Sequence, residues 1–199
     1  SDDGLIHVSE NDGQTWKKAA SLPKVPALSF INDIEASRHN TNTVFAIADA
    51  HKQGDFSTYL FMSKNRGGSW QSIAGDLPAN TVLWSIKQDY VDENLLIIGA
   101  ENGIYFSPNM GVNWIKLSSG VPTIAFRDIE LHERDNDIVG ATFGRGIYVL
   151  DDYTPLRSMN KVLAAKSNAL FPVRDAWWYL PNTPMQANGM PSQGSTSFK

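Results

Sequence analysis

The chain has 199 residues, 42% hydrophobic and 19% charged, with 15 Gly and 10 Pro, enough to bury a real core and rich in turns. A formal net charge of -4, with no Lys/Arg run, argues against a nucleic-acid partner. No stretch approaches the roughly 18 apolar residues of a spanning helix, and the absence of Cys excludes a disulfide framework and thiolate chemistry.

In chain order, residues 1–20 read as half a unit: a strand Leu5–Val8, a polar turn, and an exiting strand Thr15–Ala20. Leu22-Pro23 and Val25-Pro26 form a connector. Strands Phe30–Ser37 and Thr43–Ala48 follow, alternating or β-branched, around the turn 38–42. After a polar loop His51–Ser57 come strands Thr58–Met62 and Trp70–Ile73. The next unit repeats the plan more compactly, with strands Val82–Gln88, Leu95–Gly99 and Ile104–Phe106. The last has Phe126–His132, Ile138–Thr142 and Ile147–Leu150. Leu156–Ala165 has helical spacing through Leu156, Met159, Val162 and Leu163. Beyond it the chain is Pro-rich, and from Asn182 its Pro/Gly/Ser/Gln composition predicts a flexible tail.

One pattern organises these strands. Ser9-Glu-Asn-Asp-Gly-Gln-Thr-Trp16 recurs as Ser63-Lys-Asn-Arg-Gly-Gly-Ser-Trp70 and as Ser107-Pro-Asn-Met-Gly-Val-Asn-Trp114. The serines lie 54 and 44 residues apart, near the period of a propeller blade. Short polar residues before a Gly reverse the chain, and the Trp can cover a hairpin's core face. The expected structural set is therefore Ser9, Asn11, Gly13 and Trp16, then Ser63, Asn65, Gly67 and Trp70, then Ser107, Asn109, Gly111 and Trp114. In the last unit Asp151-Asp-Tyr-Thr-Pro155 stands where the box is due.

These boxes resemble the Asp box, or BNR repeat, of sialidases, xyloglucanase-type glycoside hydrolases and sortilin/VPS10-type propellers, whose pattern is Ser-x-Asp-x-Gly-x-Thr-Trp. All three copies carry Asn where that family has Asp. The tract Ala141–Leu156 and Leu170-Phe171-Pro172 also resemble the end of the propeller in bacterial "glycosyl hydrolase, BNR repeat" proteins. The expected fold is all-β: a β-propeller of four-stranded antiparallel blades, about three and a half in this chain. Residues 1–154 form the partial propeller, with a half-blade at 1–20, blade one at 28–75, blade two at 82–118 and blade three at 126–152. Residues 155–199 form a C-terminal extension.

An open arc leaves blade faces unpaired. Either the missing blades belong to a longer parent chain, or two copies close one ring of about seven; a tail over the open face is a weaker alternative. The chain opens at Ser1 inside a repeat, which reads as part of something longer.

Candidate chemistry sits on the first strand of each blade, which lines a propeller's channel. Asp33, Glu35, Asp128 and Glu130 are candidate catalytic carboxylates, since glycoside hydrolysis needs a pair. The plainer reading is a solvated strand face, because blade two has Ser85 and Lys87 there. Arg127 and Arg145 could clamp an anionic group, and Trp84 could stack on a sugar or pack in the core. The aromatic run Trp177-Trp178-Tyr179 suggests docking of the tail. No sialidase residue transfers, because the Arg-Ile-Pro motif is absent. His7, His39, His51 and His132 share no ligand spacing, Asp135–Asp137 and Asp151-Asp152 read as acidic turns, and no metal or cofactor is expected.

The leading expectation is a binding or interaction scaffold, with a glycan or protein ligand, from a larger exported bacterial glycosyl-hydrolase-like protein and without a complete active site of its own. The competing one is a glycoside hydrolase whose carboxylate pair is completed by further blades or a second copy. Periplasmic or secreted localisation follows from the resemblance alone.

Overall fold

The computed structural model describes residues 1–165, 168–173, 175, 179–181 and 196–198. The chain divides into two compact units, Ser1–Ala169 and Leu170–Lys199. The first is all-β apart from short helices. A half-blade pairs β1 (His7–Val8) with β2 (Lys17–Lys18). Blade one has β3 (Phe30–Ala36), β4 (Val44–Ala50), β5 (Asp55–Ser63) and β6 (Gln71–Ser72) in that spatial order. Blade two repeats it with β7 (Leu83–Gln88), β8 (Leu96–Ala100), β9 (Gly103–Ser107) and β10 (Ile115–Leu117). Blade three has three strands: β11 (Phe126–His132), β12 (Asp137–Thr142) and β13 (Ile147–Leu150). Every pairing is antiparallel, and the set of sheets is not closed into a ring.

The box residues act as hairpin staples. Ser63 Oγ accepts the Gly67 N–H at 2.8 Å, and Asn65 Oδ1 accepts the Ser69 N–H at 2.8 Å. The third copy matches: Gly111 N–H to Ser107 Oγ at 2.8 Å and Asn113 N–H to Asn109 Oδ1 at 2.9 Å. Asn can replace Asp here because the turn needs only an acceptor oxygen. Its spare Nδ2 donates to the side-chain oxygen four residues on, at Ser69 and Asn113. Gly67 and Gly111 have φ of 81° and 83°, where a Cβ is disfavoured.

Successive blades bury one another. Blade one packs on blade two through Phe45, Ile47, Leu60, Ile86, Ile98 and Trp114. Blade two packs on blade three through Ile97, Ile104, Phe106, Phe126 and Ile129. The contact is close enough that a Cβ on Gly99 would lie 2.6 Å from the Phe126 carbonyl oxygen. The half-blade covers part of blade one through Ile6, Leu22, Phe61 and Trp70. A hollow of about 570 Å³ between Val8, Ala36 and Val44 lies where that half-blade lacks its two inner strands.

In blade three the Tyr153 N–H still binds the Asn136 carbonyl, as Arg66 and Met110 bind Asn42 and Asn94 in the boxes. There the chain leaves the repeat. It enters a 3-10 turn at Thr154–Ser158 with Pro155 near its start, then α1 (Met159–Ala165), so the α-helix begins three residues later than the apolar spacing predicts. Leu156 and Met159 pack on the second core. Arg157 clamps the exit: Nε and Nη2 reach the buried Asp89 carboxylate at 2.8 and 2.9 Å, and the Tyr153 hydroxyl donates to it at 2.6 Å. Burial alone would push Asp89 up, but the bonds from Arg157 and Tyr153 hold it below the usual carboxylate range.

In the second unit β14 (Tyr179–Pro181) pairs antiparallel with β15 (Thr196–Phe198). The expected flexible stretch from Asn182, up to β15, and the pair Trp177-Trp178 lie outside the described residues.

Candidate binding rim and channel end

The first strands carry the site. In each of them the register to the second strand slips by one residue, between Ile31 and Asp33, Leu83 and Ser85, and Phe126 and Asp128. Asn32, Trp84 and Arg127 are thus the extra residues of three equivalent bulges, a feature that re-aims a side chain. On the second strands the residues after the partners of Ile31, Leu83 and Phe126 are Asp49, near the end of β4, and Glu101 and Phe143, just past β8 and β12. These positions lie at the ends of the strands away from the box hairpins.

Together they form a row across three blades. The Arg127 guanidinium lies 3.4 Å from the Trp84 ring centroid and 5.2 Å from that of Phe143. Glu101 Oε2 accepts the Trp84 indole N–H at 2.8 Å and sits 3.8 Å from Arg127. His51 meets Trp84 edge-on, with centroids 5.8 Å apart, and its Nδ1 contacts the buried Asp49 carboxylate. Phe143 is largely exposed. A guanidinium on an indole face contributes about 0.5–2 kcal/mol, depending on desolvation, so the stack is preformed. Arg145 is exposed in the β12–β13 turn, two residues beyond Phe143.

The opposite ends of the first strands hold a charged group. Lys87 Nζ is 3.3 Å from Glu130 and 3.8 Å from Glu35, joining three blades. Arg38 pairs with Glu133, and with Gln88 and Tyr90 these residues line a cavity of about 200 Å³. Burial pushes the Glu35 carboxyl up, and the attraction of Lys87 only partly offsets it. Burial opposes the charge on Lys87, but Glu35 and Glu130 outweigh it and raise its pKa.

Asp33 and Asp128 lie between these two ends. Asp33 Oδ2 accepts the Ile86 N–H of the next blade at 2.8 Å, and Oδ1 accepts its own Ile34 N–H. Ser85 does the same for Ile129 at 3.2 Å. Asp128 accepts the Ile129 N–H through Oδ1 at 2.9 Å. The four candidate carboxylates therefore fall into two pairs: Asp33 and Asp128 on backbone amides, Glu35 and Glu130 on one ammonium. His132, Asp135 and Asp137 bring ligand-type atoms within 4.8 Å of one another, though Arg134 also binds Asp135 at 2.8 Å.

Glu101, Phe143, Arg38, Glu133 and Gln88 were not singled out from the sequence, and His51 was weighed there only as a metal ligand. Glu101 and Phe143 had a usable signal, since aligning the units places them one or two residues past the matched second strands. The others depend on cross-blade proximity, which no local pattern reports.

Known structures share this architecture. A GH74 enzyme of Niastella koreensis superposes with a TM-score of 0.60 at 14% identity, over 75% of this chain and 25% of that one. The GH74 xyloglucanase of Xanthomonas campestris gives 0.56 at 12%, over 74% and 25%. YCF48 bound to D1 peptide gives 0.56 at 15%, over 76% and 46%. The chain thus spans a quarter to under a half of these proteins, and such identities speak for the fold alone. No curated protein matches the sequence. No described helix is long and apolar enough to cross a membrane. Residues 4–159 match the Sortilin-Vps10 model, described as sortilin, neurotensin receptor 3, and the chain belongs to that family of propellers.

Proposed function

We propose that this chain is the binding-scaffold sector of a larger, exported propeller protein, and that its ligand surface is the row Trp84–Arg127–Phe143 with Glu101. The carrying observation is Arg127 lying 3.4 Å over the Trp84 ring. It covers an aromatic face that a sugar would stack on. What remains outward is an arginine between aromatics beside a carboxylate, a surface suited to a polypeptide carrying both acidic and apolar groups. YCF48 was solved with a peptide, which supports the same class of ligand for a propeller of this kind. The remaining blades belong to the parent chain in this reading, and residues 155–199 form an extension to the propeller.

The second reading is a glycoside hydrolase. It is favoured by Glu35, whose raised pKa suits an acid, sharing Lys87 with Glu130. Two measurements separate the readings. Phage-displayed random peptides selected on the purified chain should bind at least tenfold more weakly to Arg127→Ala and Phe143→Ala, while xyloglucan incubated with the chain releases no reducing ends. Reducing-end release that disappears in Glu35→Gln or Glu130→Gln would replace the scaffold with the hydrolase.

A further inference from the structure

Among the described residues, blade three is built like its neighbours but has one strand fewer. In blades one and two the third strand pairs with a fourth: Met62 with Gln71, and Phe106, Tyr105 and Ile104 with Ile115, Lys116 and Leu117. Among the described residues β13 has β12 on one side and no strand on the other.

Fourth strands β6 and β10 each follow directly on a box tryptophan, and these two tryptophans have the same buried setting, whereas Trp16, ahead of β2 in the half-blade, is exposed. Trp114 is buried among Leu60, Ile73, Leu83, Leu96 and Tyr105, and its indole N–H reaches the Ile73 carbonyl at 3.0 Å. Trp70 is buried among Ile6, Ala19, Ile31, Val44 and Phe61, and its N–H reaches Ala20. Strand register carries these positions forward one blade, to Ile104, Leu117, Phe126, Ile138 and Tyr148. Those five residues line a hollow of about 160 Å³ beside β13. Apolar cavities of about 150 Å³ take up a benzene-sized ring, whereas drug-sized ligands need some 300 Å³ or more. The hollow is a single-side-chain site, and the repeat says which side chain it is shaped for.

We propose that the free edge of β13 and this hollow form an acceptor for an extended strand of the pattern Trp-x-x-Leu. The tryptophan enters the hollow, and its indole N–H meets a carbonyl at the end of β10. The next three residues pair with Val149, Tyr148 and Ile147, in the register that Ile115, Lys116 and Leu117 keep on β9. Backbone bonds supply affinity and the tryptophan supplies selection, as in other strand-addition complexes. The occupant is a box-type strand; the exposed Ile147 and Val149 are the flank it leaves for a further blade.

The probe is a labelled synthetic peptide copying Gly111–Ser119 (Gly-Val-Asn-Trp-Ile-Lys-Leu-Ser-Ser), titrated with the intact chain by fluorescence anisotropy. Saturable binding is expected, weakened at least tenfold when the peptide's Trp becomes Ala. Val149→Asp should weaken it as much, while Val112→Asp, at an equally exposed valine elsewhere, should not. Hydrogen exchange on the unaltered chain should show peptide-dependent protection at 147–150, which guards against a misfolded variant. The proposal is overturned by no binding at millimolar peptide, by indifference to the Trp→Ala change, or by protection elsewhere. Self-association of the chain that Val149→Asp abolishes would overturn it in favour of a second copy on that edge.

Discussion

Strands β9 and β13 carry nearly the same residues, Gly103-Ile-Tyr-Phe106 and Gly146-Ile-Tyr-Val149, and meet opposite fates. Ile104 is 4% exposed and Ile147 is 69% exposed. Both are third strands of their blades, both pair with a second strand in equivalent register, and both follow a Gly with positive φ. Local sequence therefore sets conformation and register, and the next blade sets burial. A tetrapeptide that is core in one copy is exposed edge in the other. The same contrast separates Ile86 and Ile129, wholly buried, from Ile34, 45% exposed where the preceding blade lacks its inner strands.

The sharpest break in this comparison is a charge placed at each isoleucine. Ile104→Asp buries an unpaired carboxylate and should cost about 4–5 kcal/mol or more, whereas Ile147→Asp should change stability by about 0.5 kcal/mol or less. Urea unfolding of the two variants checks this; equal losses would mean that β13 is covered in solution.

Next in size is the clamp that ends the repeat. Arg157→Met strands the buried Asp89 carboxylate and should cost about 3–5 kcal/mol. Because the folded-state pKa of Asp89 is depressed, its contribution is complete above the ordinary carboxylate value of about 3.9 and is lost as pH falls through the depressed one. The unaltered chain should thus lose more stability than Arg157→Met in that acid window, read as melting temperature against pH. Parallel curves would exclude the clamp.

A smaller test compares the two aspartates. Asp33→Ala leaves the buried Ile86 N–H without its acceptor and should cost about 1–3 kcal/mol. Asp128→Ala should cost about 0.5 kcal/mol, since Ser85 still accepts the Ile129 N–H. Equal losses would mean that Asp128, too, is holding a neighbour.

The boxes, the strand order and the count of blades were legible because each rests on short-range chemistry: a Ser and an Asn that staple a turn, a Gly at positive φ, alternating apolar residues. The bulges were not, since nothing in Asn32, Trp84 or Arg127 marks a register slip, although their alignment at one place was available. The roles of Asp33 and Asp128 were invisible for another reason. A carboxylate on a channel strand looks the same whether it meets water, substrate or the amide of a strand some fifty residues away. Nothing around Asp89 marks it as one half of a clamp, its partner Arg157 being 68 residues on. Long-range pairing of this kind leaves no periodic trace.

The Asp89–Arg157 pair also determines where force enters the molecule. Arg157 follows blade three in the chain, yet its guanidinium is anchored in blade two. A load applied beyond α1 is therefore shared between the end of β13 and the turn after β7. Blade three, which has no strand beyond β13 among the described residues, is thus tied to its inner neighbour through the residues that follow it.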